Sequence, residues 1–570
     1  MYRFWLIWIL LSSLPAAAQV HRNDVVIDEI MADPSPPVAL PSAEFLELKN
    51  VSRTAVNLKN WKIVDAAGTA VITVSVVLQP DSFLILCSTG SAAAFRSFGN
   101  TLGIAGFPSL DNAGEWLLLR SAEGALIHAV QYGISWYGNE TKKEGGWTLE
   151  MIDPAQACSD ALNWKASTDA AGGTPGRKNS VDALNPDRSP PAPVHSFAAD
   201  SLTVILQFNE PLDSTAAGSA QKYSISDGIG VPQKAVVLPP LFSQVTLLVT
   251  NPLVRNKRYL VSVQPLPDCA GNLSGRPDSV PTGLASPARA GDLVINEILF
   301  NPKPDGSDYL ELYNRSTGIF DLKDLFLANR ATNGSVSNLQ SLGTESRLLF
   351  PGDYLAATED AAAVQRQYLV RQPESFVQLG AMPSLPNNKG AVVLLNRAGT
   401  VVDELAYDEN WHFPLLDSHE GVALERIDPE KPTQDPANWH SAATTAGYGT
   451  PAYRNSQFMI APAQANAFTI YPEIFSPDND GWNDFVSIGY QLPQPGFVCT
   501  INLYNSNGFP VRALVKNALC GSKGTFRWDG LDDRGRKLGL GVYVVLIELF
   551  NLQGRTQKIK KAITLARPLK

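Results

Sequence analysis

The chain has 570 residues, of which 44% are hydrophobic and 18% are charged, and its formal net charge is −9. This composition excludes a disordered chain, and because Lys and Arg form no long basic stripe it also argues against a nucleic-acid binder. At roughly 100 to 200 residues per domain the length predicts several domains, of which we count four. The 43 Gly and 41 Pro favour short β-strands joined by many turns.

The first 18 residues contain one basic residue, then an apolar run, then a stretch of small residues that ends at Ala18. This order is typical of a secretory signal peptide, so residues 1–18 are expected to be removed by cleavage after Ala18. A buried first helix or a membrane anchor is the alternative, but the apolar run is shorter than the roughly 20 residues that cross a bilayer. We expect a mature chain without a membrane span, secreted or at the cell surface, with the periplasm as the fallback.

Residues 22–182 alternate short apolar stretches with clusters of Pro, Gly, Asn and Asp. The predicted strands are residues 25–27, 45–48, 61–64, 83–87 and 116–119. Short strands at this density predict a β-sandwich or a barrel.

Much of this segment returns later in the chain as residues 291–456. The matching stretches are 24–30 with 292–298, 44–50 with 308–314, and 173–175 with 449–451. The repeat is longer than the usual solenoid unit of about 20 to 50 residues, so each copy is predicted to be a whole domain. The second copy also carries an insertion at residues 359–368 that predicts a short helix.

The two copies open with Asp-Val-Val-Ile-Asp-Glu-Ile from Asp24 and with Asp-Leu-Val-Ile-Asn-Glu-Ile from Asp292. These openings are followed by Glu-Phe-Leu-Glu-Leu-Lys-Asn and by Asp-Tyr-Leu-Glu-Leu-Tyr-Asn, respectively. The series resembles the lamin tail domain, most closely in the second copy. The resemblance implies an immunoglobulin-like β-sandwich for each copy and implies no catalysis. We therefore expect an all-β chain of tandem immunoglobulin-like β-sandwich modules.

Glu47 and Glu311 fall inside apolar strands, where a carboxylate without a partner is costly. One interpretation is a metal or ligand site that each residue builds with Glu29 or Glu297. The other is structural: the carboxylate accepts backbone N–H groups from the turn that follows the first strand, at residues 33–34 and 301–302.

Residues 183–290 begin with a Pro-rich connector at 185–193, which predicts a stiff, extended link. The run Phe208-Asn-Glu-Pro-Leu-Asp, with a later Asp268-Cys-Ala-Gly-Asn, resembles the bacterial immunoglobulin-like domains of surface proteins, whose strand motif reads F-S-x-P-[LV]-D. Glu210 and Asp268 are interpreted as turn-forming residues.

Residues 465–570 contain the run Asp478-Asn-Asp-Gly-Trp-Asn-Asp ahead of further predicted strands. The segment resembles the flagellar hook-capping type of immunoglobulin-like domain and the C-terminal modules of gliding-associated proteins of the Bacteroidetes. Such modules often end chains exported by the type IX secretion system. The resemblance therefore implies export across the outer membrane as a hypothesis.

Asp478, Asp480 and Asp484 place oxygen ligands at spacings that suit a structural calcium ion. An EF-hand loop would need Gly at its sixth position and Glu at its twelfth, and Gly481 and Gly489 do not meet that pattern. An Asx-turn network that leads into the next strand is the alternative. No other cofactor is expected.

The five cysteines all lie beyond the predicted cleavage point, so at least one cannot pair within the chain, and no disulfide framework is expected. Cys87 ends an apolar run and is expected to be a small buried hydrophobe. Cys499 and Cys520 share the last module and could form a bridge.

The sequence has no Gly-x-Ser-x-Gly elbow, no phosphate-binding loop and no zinc-type spacing of His or Cys, so no enzyme activity is expected. The candidate ligand contacts are aromatic loop residues: Trp136, Tyr137, Trp147, Trp411, His412 and Phe413. Such rings can stack on sugars or peptides, although most Trp residues at such places fill a core.

We predict a secreted, non-enzymatic modular protein for adhesion, spacing or assembly in the cell envelope, with a protein or glycan partner and no nucleic-acid partner. The alternatives are an accessory binding module of an exported hydrolytic system and a carbohydrate-active enzyme that uses carboxylates at no fixed spacing.

Overall fold

The computed structural model describes residues 20–158, 161–460 and 467–566. The predicted signal peptide lies outside these ranges. Strands dominate, and the expected all-β architecture of tandem immunoglobulin-like sandwiches is confirmed. No helix in the described ranges is long and apolar enough to cross a membrane. Two compact units make up the chain: one runs to Pro252 and includes Tyr259–Pro281, and the other combines Leu253–Arg258 with the residues from Thr282 onward.

Copy 1 (residues 22–182) is a sandwich of two sheets. Its strands are β1 Val25–Met31, β2 Phe45–Asn50, β3 Val56–Asn57, β4 Lys62–Val64, β5 Thr69–Val71, β6 Val77–Leu78, β7 Phe83–Ser88, β8 Thr101–Ile104, β9 Trp116–Arg120, β10 Leu126–Gln131, β11 Leu149–Met151 and β12 Trp164–Ala166. The helical segments are α1 Ala92–Phe95 and 3-10 turns at Ile134–Tyr137, Lys142–Glu144, Pro154–Gln156 and Ala161–Asn163. A six-stranded sheet of order β12-β11-β1-β2-β7-β8 packs against a four-stranded sheet of order β10-β9-β4-β5.

The first strand, β1, is buried along its whole length because both faces of the six-stranded sheet are covered. Ile27 belongs to the apolar core between the two sheets. A β-bulge between Ile27 and Glu29 shifts the register, and Met31 packs with Phe45 and Phe95 in a second cluster on the outer face. The bulge therefore places Glu29 on the outer face.

Module 2 (residues 183–290) is also a sandwich. Its elements are β13 Pro193–Asp200, β14 Thr203–Phe208, β15 Tyr223–Ile225, β16 Lys234–Leu238, β17 Gln244–Leu248, β18 Tyr259–Val263 and β19 Asp278–Thr282, with α2 Ser214–Ala217 and a 3-10 turn at Ala220–Lys222. The sheet orders are β13-β14-β17-β16 and β15-β18-β19. Asp213 caps α2 by accepting the Ala216 backbone N–H, which supports a turn-forming role for the residues of this motif.

Copy 2 (residues 291–456) repeats the topology of copy 1. Its strands are β20 Leu293–Leu299, β21 Tyr309–Asn314, β22 Phe320–Asp321, β23 Leu325–Arg330, β24 Val336–Ser341, β25 Leu348–Leu349, β26 Tyr354–Thr358, β27 Phe376–Gln378, β28 Lys389–Asn396, β29 Val401–Asp408, β30 Leu424–Arg426 and β31 Trp439–Ser441. Its 3-10 turns are Leu322–Asp324, Pro373–Ser375, Glu409–Trp411, Pro436–Asn438 and Thr444–Ala446. The six-stranded order β27-β26-β21-β20-β30-β31 matches that of copy 1 strand for strand, and the predicted helix is confirmed as α3 Ala361–Gln367.

The C-terminal module (residues 465–570) has strands β32 Ala467–Tyr471, β33 Ile474–Phe475, β34 Val486–Gln491, β35 Phe497–Asn505, β36 Pro510–Leu519, β37 Lys523–Trp528, β38 Gly541–Asn551 and β39 Thr556–Leu565. They form sheets of order β32-β34-β37 and β33-β39-β38-β35-β36 around a core that includes Trp528.

The cysteines pair differently from the bridge that the sequence suggested. Cys158 of copy 1 forms a disulfide with Cys269 of module 2, whereas Cys499 and Cys520 are buried free thiols. Cys87 is buried among apolar side chains, which confirms its predicted role. The disulfide covalently joins two sandwiches of the same compact unit.

Candidate functional site

Each copy carries a row of three glutamates on adjacent strands of its six-stranded sheet. In copy 1 the row is Glu47 on β2, Glu29 on β1 and Glu150 on β11, with Glu29 directly opposite the other two. In copy 2 the row is Glu311, Glu297 and Glu425. All six are 0% exposed. A carboxyl group buried this completely must be hydrogen-bonded or stay protonated.

In copy 1 the loop after β12 lies over the row and supplies donors to it. Glu29 Oε1 accepts the Thr174 backbone N–H at 2.7 Å, and Thr174 Oγ1 donates to Glu150 Oε1 at 2.8 Å. The Gly176 backbone N–H donates to Glu47 Oε2. Thr174 therefore bridges two acids, and Gly176, two positions further on, donates to the third.

The structural interpretation of Glu47 and Glu311 correctly predicted that each carboxylate accepts a backbone N–H, but it named the wrong loop as the donor. Glu47 accepts an N–H from residue 176 and Glu311 accepts one from Ala452 at 2.7 Å, so the donors come from the end of each copy and not from the turns at 33–34 and 301–302. Among the described residues, two clusters bring at least three possible metal-ligand atoms within 4.8 Å of one another, and neither includes these rows.

The loop must come very close to the row, and this closeness explains the glycine that opens it. A Cβ on Gly173 would lie 2.7 Å from Glu29 Oε1, inside van der Waals contact. Larger residues at position 173 would push the loop and its donors away from the acids.

Among the residues beside the row that differ between the copies, one changes a side-chain donor into an acid. Asn296 of copy 2 donates from Nδ2 to Glu311 Oε1 at 2.7 Å and to Asn455 Oδ1 at 2.8 Å. Copy 1 has Asp28 at the equivalent position, and a carboxylate cannot donate. Both Oδ atoms of Asp28 are buried without a partner in the described chain, as are Glu29 Oε2 and Glu47 Oε1.

Burial sets the protonation of these acids. It raises the pKa of Asp28 to about 7 and that of Glu29 to about 8, and it raises the pKa of Glu47 well above its usual range, with the neighbouring acids adding to the effect. In copy 2, burial raises the pKa of Glu297 to about 8. Glu29 and Glu297, the central acids of the two rows, are therefore largely neutral below pH 7, which suits a structural role inside a sheet.

A second difference between the copies lies at the β-bulge. The freed N–H of Ile27 donates to His128 Nδ1 at 3.2 Å, and the equivalent N–H of Ile295 donates to Asp403 Oδ2 at 2.8 Å. Asp403 is accompanied by Arg426, whose Nη1 lies 3.6 Å away. Copy 1 thus uses a neutral imidazole where copy 2 uses a buried ion pair.

We expect His128 to make copy 1 sensitive to acid. Burial, with Arg22 nearby, lowers the pKa of His128 from 6.5 to about 3. Stabilisation by the neutral ring is therefore complete above pH 6.5 and is lost as the pH falls towards 3, by about 1.4 kcal/mol per unit. Hydrogen exchange of β1 and β2 peptides, corrected for intrinsic rates, should show this loss between pH 6.5 and 4.5.

The buried acids of copy 1 have raised pKa values, so they favour the folded state in acid and oppose the loss of stability caused by His128. A comparison with a His128→Gln variant isolates the contribution of His128. The variant should lose less protection on acidification than the wild type, whereas His21→Gln, which changes an exposed ring, should behave like the wild type. Equal acid sensitivity in all three proteins would contradict the role of His128.

The aromatic residues predicted as ligand contacts in copy 1 fall into two groups. Trp136 packs on Trp164 with ring centroids 6.1 Å apart, and Tyr137 is buried in the sandwich core. Trp147 instead lines an open groove of about 500 Å³, and Lys142 Nζ lies 4.3 Å from its ring centroid.

In copy 2 the corresponding residues lie inward. Trp411 packs on Trp439 at 6.4 Å, repeating the Trp pair of copy 1. His412 is buried and stacks on His419 at 4.6 Å, and Phe413 is buried in a cluster with residues of β35 and β36. The loop patterns that indicated exposed contacts in the second copy mark core and interdomain packing.

Asp478, Asp480 and Asp484 do converge, with one ligand atom of each within 4.8 Å of the others. Asp484 Oδ1 also accepts the Asn479 N–H at 2.7 Å and Asp480 Oδ1 accepts the Trp482 N–H at 2.7 Å, so the predicted Asx-turn network is present. The sequence analysis missed a second acid cluster, formed by Asp187, Glu210 and Asp268. Its members lie up to 81 positions apart, so no local spacing could reveal it.

The lamin tail domain family matches residues 18–133 and 286–409, which confirms the resemblance in both copies. No curated protein matches. The N-terminal part of the bacterial S-layer protein SbsC is 18% identical, with 29% of this chain and 45% of that chain covered and a TM-score of 0.16. A tetra-tandem repeat from the extending region of a large adhesion protein is 13% identical, with 95% and 99% covered and a TM-score of 0.13.

A DUF4876 family protein from Bacteroides thetaiotaomicron is 14% identical, with 37% of this chain and 82% of that chain covered and a TM-score of 0.18. The chain spans about half the length of the three S-layer structures that it matches. With TM-scores this low, no argument about function rests on these likenesses.

Proposed function

We propose that this chain is an exported, non-enzymatic surface protein that serves adhesion, spacing or assembly in the cell envelope. Its β-sandwich modules are proposed to be held in two fixed pairs, copy 1 with module 2 and copy 2 with the C-terminal module. The observation that carries the proposal is the disulfide between Cys158 and Cys269. Disulfides persist in oxidising compartments and are rare in the cytoplasm. The bond connects two separate sandwiches and does not cross-link a single small domain, so it restricts the movement of one module relative to the other.

Other contacts support a fixed link between copy 1 and module 2. The Arg22 guanidinium lies 4.3 Å from the centroid of the Phe242 ring. Within copy 1, Asn23 Nδ2 donates to Cys158 Sγ at 3.5 Å, which holds the copy 1 end of the disulfide in place. A covalent bond with polar and cation–π contacts around it suits a rigid spacer better than two independently moving domains.

Copy 2 and the C-terminal module are also joined by packing. Phe413 is buried against Val498 and Leu519. The Ser522 backbone N–H donates to the Ser456 carbonyl at 2.9 Å. This buried apolar contact and the backbone hydrogen bond beside it support the same spacer role for the second pair.

The proposal also includes the type of each remaining module, a bound ion and the kind of partner. Module 2 is proposed to be a bacterial immunoglobulin-like domain of the surface-protein type, and the C-terminal module a hook-capping or gliding-associated type that directs type IX export. Asp478, Asp480 and Asp484 are proposed to hold a structural calcium ion. The partner is proposed to be a protein or a glycan of the envelope.

A thiol count tests the disulfide that carries the proposal. Protein taken from its native cells and denatured without reductant should add three alkylating groups, for Cys87, Cys499 and Cys520, and should add five after reduction. Intact mass spectrometry reads both numbers. Five groups before reduction would show that Cys158 and Cys269 are unpaired in the cell.

A further inference from the structure

The second compact unit contains a cleft of about 1270 Å³ that is lined by copy 2 and the C-terminal module. Three cationic side chains line it: Arg371, Arg454 and Lys523. Asp353 is the one acid among its described lining residues. The cleft is therefore cationic although the whole chain carries a net charge of −9.

The cations are available to a ligand. All three are exposed, and none of them makes an ion pair within the described part of the chain. The Arg454 guanidinium hydrogen-bonds to Tyr354, which occupies only part of its set of five N–H donors. Asp353 is engaged elsewhere, since its Oδ2 accepts the Phe350 N–H at 2.9 Å. Guanidinium groups bind carboxylate, sulfate and phosphate well because they offer paired N–H donors.

Two arginines are held in place by aromatic rings. The Arg371 guanidinium lies 4.7 Å from the centroid of Tyr453, and the Arg454 guanidinium lies 4.8 Å from that of Phe458. The rings orient the cations, and the cations occupy a face of each ring. Ring faces covered in this way favour the binding of anionic groups over the stacking of nucleic-acid bases.

Polar groups elsewhere in the lining, which also contains apolar side chains, suit sugar hydroxyl groups. Uncharged donors and acceptors are contributed by Gln372, Gln491, Ser522 and Thr525. Such groups hydrogen-bond to hydroxyls without requiring charge. A cleft that places three exposed cations beside uncharged polar groups therefore fits a chain of sugars that carries anionic groups.

We propose that this cleft binds an acidic polysaccharide, with its carboxylate or sulfate groups on Arg371, Arg454 and Lys523 and its hydroxyls on the uncharged lining. The proposal deepens the surface role proposed above and rests on it, because an exported protein meets the acidic glycans of envelopes and matrices. It gives the glycan partner a specific site.

Titration of the full mature chain with polygalacturonate, heparin, dextran and oligo(dT) tests the site. We expect binding to polygalacturonate or heparin that weakens with added salt, and no binding to neutral dextran. An Arg371→Gln/Arg454→Gln variant should bind at least about tenfold more weakly, whereas Arg366→Gln/Arg534→Gln, which removes the same charge from exposed positions outside the cleft, should bind normally.

The carboxylated and sulfated probes distinguish the two anion sources. Equal affinities of the cleft variant and the control variant, tighter binding of oligo(dT) than of either acidic glycan, or no binding to either glycan would overturn the proposal. Location is measured separately on intact cells, so a surface protein that fails these titrations would lose only the glycan site.

Discussion

Replacing Arg426 by Met is expected to lower the free energy of unfolding of copy 2 by about 3 to 5 kcal/mol, because it leaves the buried Asp403 without its cation. Arg426 is 1% exposed, and its Nη1 also donates to the Ile295 carbonyl at 3.0 Å. Calorimetry of the full chain should show one transition moved to lower temperature, and hydrogen exchange should assign it to β20 and β30.

Copy 1 supplies the compensating change. Its residues at the two positions are Met151 and His128, and the His128 ring accepts the Ile27 N–H at the same bulge without a cation beside it in the Arg426 position. The double variant Arg426→Met/Asp403→His should therefore recover most of the lost stability at pH 7.5. If the double variant is as unstable as the single one, the His and Met of copy 1 cannot replace the Asp and Arg of copy 2 as partners of the bulge.

Replacing Asp28 by Asn is expected to stabilise copy 1 at pH 8 by about 1 to 3 kcal/mol, the cost of leaving a buried polar group unsatisfied. The new amide can donate to Glu47 Oε1, as Asn296 donates to Glu311. The folded pKa of Asp28 is raised from 3.8 to about 7, so the stability of its neutral form is present below pH 3.8 and lost as the pH rises through 7. Calorimetry at pH 8 and pH 4 should show a gain that shrinks in acid.

The reciprocal change controls for context. Asn296→Asp should destabilise copy 2 because it places a buried acid beside the row, as Asp28 does in copy 1. The destabilisation should be larger at pH 8, where the new acid is ionised, than at pH 4. Stabilisation of copy 1 that is the same at both pH values would argue that packing, and not the charge at position 28, is responsible.

The duplication made much of the fold predictable from sequence. Residues 25–30 and 293–298 of the matching stretches lie in fully buried first strands, and the insertion at 359–368 contains a helix. The position of Glu47 and Glu311 inside apolar strands also predicted that each carboxylate has a hydrogen-bond partner. It could not locate them, because the donors on residues 176 and 452 lie 129 and 141 positions away and are brought in by the closing loop of each copy.

Long-range and orientational features escaped prediction for the same reason. Cys158 and Cys269 are 111 positions apart in different modules, whereas the pair suggested by proximity in sequence is unbonded. Trp136 and Trp411 sit in polar loops, yet each ring packs on a second Trp. Composition around a residue indicates a loop, but only the chain fold decides which way the ring faces.

Protease treatment of intact cells of the source organism tests the central claim most directly. We predict that external protease cleaves this chain while a cytoplasmic marker stays whole, and that the fragments of copy 1 and module 2 remain linked until a reductant breaks the bond between Cys158 and Cys269. Protection in intact cells, followed by cleavage only after lysis, would contradict a surface role.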